Sequence, residues 1–330
     1  MSFNKDNWAI TGGVFISGGG ATANYSSGSI TTDMIGFGAL AETFGAYTRA
    51  GSQYLEASSY YLTTMIGASY EINDMIAVGA NARYTSAKNK AKAGLTLTDS
   101  PFDLPDVPIA YDVEEDATGM GASFGIFITP SEEFAFAARY ETMVPLEFKT
   151  KVNQDDIGIS MDGEKHNRDL PAVFAAGVSY QWNERFKTLA DFNYYFQTAA
   201  DWGNSDVATA GRSYSDMAGN ASSYAVGMEY GVTEKLMFSL GSIYTSFAWD
   251  DEAGYYTSLG AYETVPGNNV SINTGVKFQL NPKIAINAGY ANTMWSKDRT
   301  VKAVNLAPAD VDVTTNNKMS TFAIGVDINL

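Results

Sequence analysis

The sequence predicts an all-β fold, an antiparallel up-and-down β-barrel that crosses a membrane. Three observations carry this reading. Apolar and polar residues alternate in a dozen segments, the connections between segments alternate between short and long, and no run of about 18 apolar residues exists that could cross as a helix. The last segment shows the pattern most cleanly. Phe322, Ile324, Val326, Ile328 and Leu330 share one face, while Thr321, Ala323, Gly325, Asp327 and Asn329 share the other.

Taken in order, the predicted strands are 7–18, 58–72, 75–88, 118–129, 134–149, 172–183, 185–198, 222–232, 236–249, 269–280, 284–296 and 318–330. In nearly all of them the even-numbered positions are the oily ones. Tyr224, Val226, Met228, Tyr230 and Val232 are one such set, and Phe134, Phe136, Tyr140, Val144, Leu146 and Phe148 are another. Odd positions carry Arg83, Arg139, Glu141, Lys187, Asp191, Glu229, Lys277 and Asp327. Such charges are costly against lipid and suit a wet interior, so the even face should meet lipid and the odd face the bore.

Short turns are expected at Asn73-Asp74, Pro130-Ser131-Glu132, Asn183-Glu184, Thr233-Glu234-Lys235 and Asn281-Pro282-Lys283. Long polar connections fill 19–57, 89–117, 150–171, 199–221, 250–268 and 297–317. In outer-membrane barrels the short turns are periplasmic and the long loops external, which places both termini on the periplasmic side. Trp182, Phe186 and Phe134 flank short turns and fit an interfacial aromatic girdle. The competing reading is the edge of a soluble sheet.

Composition agrees. Only 18% of the 330 residues are charged and 13% are aromatic, against about 25% charged in an average soluble domain. Mean hydropathy is −0.14, as a half-polar strand set requires. A net charge of −16 argues against nucleic acid as a partner. The absence of cysteine excludes disulfides and thiolate chemistry. Residues 1–8 have neither the apolar core nor the cleavage site of a signal peptide, so an exported chain must have lost its signal or begun further upstream.

The candidate functional residues lie on the odd face. Phe127, Met143, Tyr195, Phe247, Trp249 and Trp295 are expected to point into the bore near its external end, where a porin for hydrated solutes would place charges. Large apolar side chains there suggest a pocket for an apolar ligand. Arg139 and Lys187, also inward, are placed either to receive a carboxylate head group or to pair with Glu141 and Asp191, and pairing is the favoured expectation. Three glycines, Gly18, Gly19 and Gly20, permit a kink or bulge, or an ordinary loop entry. Phe37, Leu40, Phe44 and Tyr47 recur at spacings of three and four, which predicts a short amphipathic helix within 34–48 in an external loop. The acidic runs Glu114-Glu115-Asp116 and Asp250-Asp251-Glu252 are expected in external loops, as cation holders or as plain solvated residues. His166 is alone, and no P-loop, dinucleotide fingerprint or catalytic set is present. No enzyme, cofactor or metal is expected.

Several stretches resemble the FadL-type family of outer-membrane transporters for long-chain fatty acids and aromatic hydrocarbons. Asp169-Leu170-Pro171 is followed by Ala176-Gly177-Val178-Ser179-Tyr180-Gln181, a short turn, and Leu189-Ala190-Asp191-Phe192-Asn193-Tyr194-Tyr195. Phe136-Ala137-Ala138-Arg139-Tyr140 ahead of Phe148-Lys149 resembles the strand before it. The resemblance implies a single barrel over 1–330 belonging to a 14-stranded family with an N-terminal hatch. Trp8 to Gly20 would correspond to the family's third strand, so the hatch and two strands are expected to be missing from this chain; a hatchless twelve-stranded relative is the other reading. It also implies that Gly18, Gly19 and Gly20 mark a lateral gap, and that Phe37, Leu40, Phe44 and Tyr47 form a docking groove, with packing on the barrel rim as the alternative. The expected activity is passive transfer of hydrophobic compounds in the bacterial outer membrane; a porin-like channel and a structural or adhesive barrel are the alternatives. Expected partners are the hydrophobic ligand, outer-membrane lipid including lipopolysaccharide, and the barrel-assembly machinery, with the protein itself a monomer.

Overall fold

The computed structural model describes residues 2–203, 213–249, 267–296, 299–302, 310–313 and 318–328. Its first half contains β1 (Ser2–Lys5), β2 (Trp8–Tyr25), α1 (Ile30–Glu42), β3 (Arg49–Asn73), β4 (Ile76–Thr98), β5 (Val107–Ile128), β6 (Phe134–Glu141), β7 (Glu147–Asp155) and β8 (Lys165–Asn167). Then follow β9 (Ala172–Asn183), β10 (Phe186–Phe196), α2 (Tyr214–Ala218), β11 (Ala221–Thr233), β12 (Leu236–Phe247), β13 (Asn269–Asn281), β14 (Ile284–Trp295), β15 (Arg299–Lys302), β16 (Asp310–Val313) and β17 (Lys318–Ile328). One antiparallel sheet runs β1-β2-β3-β4-β5-β6-β9-β10-β11-β12-β13-β14-β17, and β15 pairs with β16 apart from it. Among the described residues, β1 and β17 are the two ends of this order and are not paired with each other.

Each predicted segment except 134–149 falls on one strand of this sheet, and in those the parity holds. Val226 is 63% exposed and Ile324 68%, as are other even-numbered apolar residues such as Leu62, Phe124, Ile272 and Ile286 at lesser or similar levels. Apolar side chains exposed along every strand on one face are affordable where that face meets lipid. Aromatic pairs mark the short-turn end of this face: Tyr180 stands edge-on to Trp182 at 4.7 Å, and Trp182 donates to Thr188 Oγ1.

The short turns share one device. The side-chain oxygen of Asn73 accepts from the N–H groups two and three residues on, at Met75 and Ile76. Asn183 does the same for Arg185 and Phe186, Asn281 for Lys283 and Ile284, and Thr233 for Lys235 and Leu236. A short polar side chain at the end of a strand thus supplies the turn's missing acceptor.

Three expectations are corrected. Much of 19–57 and 89–117 is strand rather than loop, because β2 to β5 continue well past the apolar band. There the outward positions become charged and pair across strands. Lys88 and Lys90 reach Glu114 at 2.9 and 2.8 Å, and Lys92 reaches Asp112 at 2.8 Å. The run Glu114-Glu115-Asp116 therefore lies within β5; residues 250–252 fall outside the described residues. Third, 134–149 is not one strand with an outward oily face. It breaks after Glu141, and Val144, Leu146 and Phe148 are fully buried.

Candidate functional site

Strand register brings two of the predicted residues into line and a third within two residues of them. Tyr195 of β10 is opposite Ala221 of β11, which is opposite Phe247 of β12. Thr245 of β12 is opposite Asn269 of β13, which is opposite Trp295 of β14. Tyr195, Phe247 and Trp295 are thus the last or nearly last inward positions before the long connections. Trp249 follows β12 and lies 5.6 Å from Phe247, ring centre to ring centre. All four are partly buried. They form an aromatic arc along the external rim of the inner face.

The other four do not join this arc. Phe127 lies one residue from the end of β5, at the short-turn end, not near the external loops as expected. It lines a cavity of about 370 Å³ with Ser69, Asn81, Ser123, Ala137 and Arg139. Arg139 Nε lies 3.1 Å from Glu141, whose other oxygen takes Arg83, so one carboxylate serves two guanidiniums. Lys187 lies at the short-turn end of β10, 4.0 Å from Glu229 rather than beside Asp191. Pairing of both cations, the favoured expectation, is what the geometry shows. Met143 stands where the 134–149 segment breaks.

The inner face of β3 to β5 carries a feature that periodicity alone does not reveal. After Thr142 the chain turns inward and covers the inner face of its neighbours. Val144, Leu146 and Phe148 pack with Tyr61, Ala87 and Ala117, and Leu170 joins them. Phe148 stands edge-on to Tyr61 at 6.0 Å and stacks on His166 at 5.7 Å. Buried Asp169 fixes this ridge. Its carboxylate accepts from the N–H of Leu146 at 2.9 Å and of Asp201 at 3.2 Å, while its own carbonyl accepts from the Trp202 indole at 2.9 Å. Beneath the ridge, Thr63 bonds both Ser17 and Thr85 at 2.7 Å, and Thr63 and Thr85 are fully buried. Above it, His166 Nε2 lies 3.6 Å from Glu115, which accepts from Asn89. The run Asp169-Leu170-Pro171 is the one sequence signal here, and it points to the family rather than to an inward turn.

The predicted kink is present. β2 carries irregularities between Ile16 and Gly18 and between Gly19 and Ala21, and Gly19 has φ +65°, a conformation that strongly favours glycine. A Cβ on Gly18 would lie 3.4 Å from the Tyr61 ring and 3.6 Å from Leu170, so the kink abuts the ridge. The predicted helix forms over Ile30–Glu42, with a capping box between Ser29 and Thr32. Its buried side is Thr32 and Gly36, not the expected Phe37 and Leu40. Gly36 permits this, since a Cβ there would lie 2.9 Å from Ala50 Cβ. Phe37 is left 65% exposed and Phe44, beyond the helix end, 97% exposed, while Leu40 is half-buried. Tyr47 ties this region to the β4–β5 loop by donating to Pro105 O at 2.7 Å, and that loop exposes Phe102 and Leu104.

The fold agrees with that of other solved proteins. The chain is similar to a Pseudomonas aeruginosa FadL homologue at 15% identity over 98% of this chain and 76% of that one, with a TM-score of 0.64. The Pseudomonas putida toluene transporter TodX is 14% identical over 99% and 81%, with a TM-score of 0.61. The CymD monoaromatic hydrocarbon channel is 12% identical over 99% and 81%, with a TM-score of 0.58. At such identities these likenesses speak for the fold. No curated protein matches the sequence. The model of the outer membrane protein transport protein family (OMPP1/FadL/TodX) matches residues 28–329, nearly the whole chain. The chain therefore belongs to the outer-membrane transport proteins of the FadL and TodX family.

Proposed function

We propose that this protein moves uncharged hydrophobic small molecules across the outer membrane by passive binding and release. The observation that carries this reading is the arc of Tyr195, Phe247, Trp249 and Trp295 on the external rim of the inner face, where a bore for hydrated solutes would present charge. The exposed Phe37, Phe44, Phe102 and Leu104 supply a capture surface beyond the rim. Burial of apolar area, about 25 cal/mol per Å², drives the transfer from water.

The inner-face cations named as head-group candidates are already engaged, which favours a ligand without a carboxylate. One observation supports the second reading, a fatty-acid-like carboxylate: Glu141 is shared by Arg83 and Arg139 and leaves one positive charge over.

The test is uptake of a fluorescent aromatic hydrocarbon into proteoliposomes. Phe247→Ala combined with Trp249→Ala should lower uptake by at least about tenfold, since each truncation forfeits more than about 1 kcal/mol of apolar contact. Inhibition by a neutral hydrocarbon but not by a long-chain carboxylate would support the first reading over the second. High single-channel conductance for hydrated solutes, with no hydrocarbon uptake, would overturn both.

A further inference from the structure

The inward ridge is part of an intact hairpin. Phe134 is opposite Tyr180 and Glu141 opposite Val173; the same register continues through the Val144–Leu170 bridge to Phe148 opposite His166 and Lys149 opposite Lys165. Its loss of pairing is with β5 only. β5 is paired with β6 from Ser123 to Ile128 and with β7 from Tyr111 to Asp116. In between, Thr142 still donates to Ala122 O. The next five residues of β5, Ala117 to Gly121, then have no register partner on that side among the described residues.

Six hairpin residues, Met143 to Phe148, span the stretch left open by those five. The detour is thus only one residue longer than a strand lying in the wall would be. A single extra residue is what a β-bulge absorbs. Thr118 and Met120 share the parity of Ala122 and direct their backbone groups to the vacated side. Such unpaired groups are costly beside lipid, so returning the hairpin to the wall has a driving force.

The side chains fit both positions. Val144 and Leu146 have the parity of the outward residues Phe136 and Tyr140, so a hairpin lying in the wall, with its extra residue at Phe148 beside the Lys149–Asp116 pair, would turn them outward. In the inward position that same oily face covers Ala87, Ala117 and the bare backbone at Gly119 and Gly121. A Cβ at Gly119 would collide with the Pro145 carbonyl, and one at Gly121 would lie 2.9 Å from Val144 Cγ2. The two glycines are therefore the seat that lets the hairpin come in.

We propose that this hairpin is the moving closure of the bore, and that Val144, Leu146, Phe148 and Leu170 decide what passes it. With the hairpin inward, the ridge covers the inner face of β5 next to the cavity of Phe127 and Arg139, and Leu170 stands against the Gly18 kink. With the hairpin paired to β5, the inner face at Gly119 and Gly121 is bare and the path is open. Asp169 is the latch, since its carboxylate holds Leu146 and Asp201 together only in the inward position. An apolar ligand that displaces the apolar ridge from its seat would open its own path.

This rests on the transport reading for its consequence, and the test separates the two. The chain has no cysteine, so Gly121→Cys with Val144→Cys creates a single pair, within the reach of a disulfide. The doubly substituted protein, refolded reduced and then oxidised, should lose at least tenfold of its hydrocarbon uptake and recover it with reductant; each single variant, whatever its own uptake, should show the same uptake in oxidising and reducing buffer. Gly119→Val should unseat the ridge and raise ion conductance in planar bilayers severalfold, with folding checked by heat-modifiable gel migration. Equal uptake in the oxidised and reduced states, with the disulfide complete, would overturn the closure even if Gly119→Val fails to fold. Absence of uptake by the unmodified protein would instead sink the transport reading, and the oxidised-against-reduced conductance would still decide the closure.

Discussion

At the scale of single residues, parity on a strand is the strongest constraint in this molecule, and it can be tested at neighbouring positions. Val226 faces outward in the middle of the apolar band of β11, and Ala225 faces the bore. Val226→Arg should cost about 2–4 kcal/mol of folding free energy, the penalty for a guanidinium at mid-bilayer. Ala225→Arg should cost less than about 1 kcal/mol, since its head group stays wet. Urea unfolding in lipid vesicles measures both, and equal losses would mean that parity does not set the lipid face. This parity was legible because every lipid-facing position must be oily, whatever its neighbours do. Val144, Leu146 and Phe148 show where such legibility ends. Their alternation is the same as that of a lipid-facing strand, but the oily face they create packs on Tyr61, Ala87 and Ala117 of the inner face. Nothing local distinguishes lipid from an alanine and glycine floor. Phe127 was misplaced for a simpler reason: residue parity gives the face, and only strand direction gives the height.

At the scale of elements, strand ends and strand continuations obey different physics. The short turns were legible because Asn and Thr side chains fix them locally. The external extensions of β4 and β5 were not, because they look like polar loops. A ladder of cross-strand ion pairs on the outer side, with buried Ala93, Leu95, Leu97 and Val113 on the other, keeps them extended. In that ladder Lys90 and Lys88 hold the Glu114 carboxyl down to about 2, through hydrogen bonds first and charge second. A depressed folded value means that this contribution is complete above the unfolded carboxylate range, near about 4.3, and is lost only as pH falls through about 2. Amide exchange at Lys90 and Glu114, corrected for intrinsic rates, should therefore show the same protection at pH 7 and pH 5. Raising the salt to about 1 M should weaken it, because the lysines are well exposed and screened. Loss of protection by pH 5 at low salt would show that the ladder does not hold the extension. The helix teaches a related lesson. Its amphipathic spacing was real, yet the packed side was chosen by Gly36, whose lack of a side chain lets the backbone approach Ala50.

At the scale of the whole molecule, the length of the outward apolar stripe sets the membrane the protein fits. On β11 that stripe runs from Tyr224 to Val232, eight residue steps. At about 3.3 Å per residue and a tilt of about 40°, it covers about 20 Å along the membrane normal. Past the equivalent upper limit at Tyr84 on β4 and Met120 on β5, the outward face turns to the ion-pair ladder, so a thicker bilayer would bury charge. Refolding into vesicles should accordingly be most complete and most stable in lipids whose hydrocarbon is near about 20 Å, and should fall off toward about 30 Å. The measurement is folded fraction and urea midpoint across a series of saturated chain lengths. A maximum in the thick bilayers would require the charged ladder to lie in lipid, and would remove the basis for placing the aromatic arc at the external mouth. The same series bears on transfer. A thin belt brings the arc, the ridge and the lower cavity within one short path, so a ligand released past the ridge has little distance left to cross.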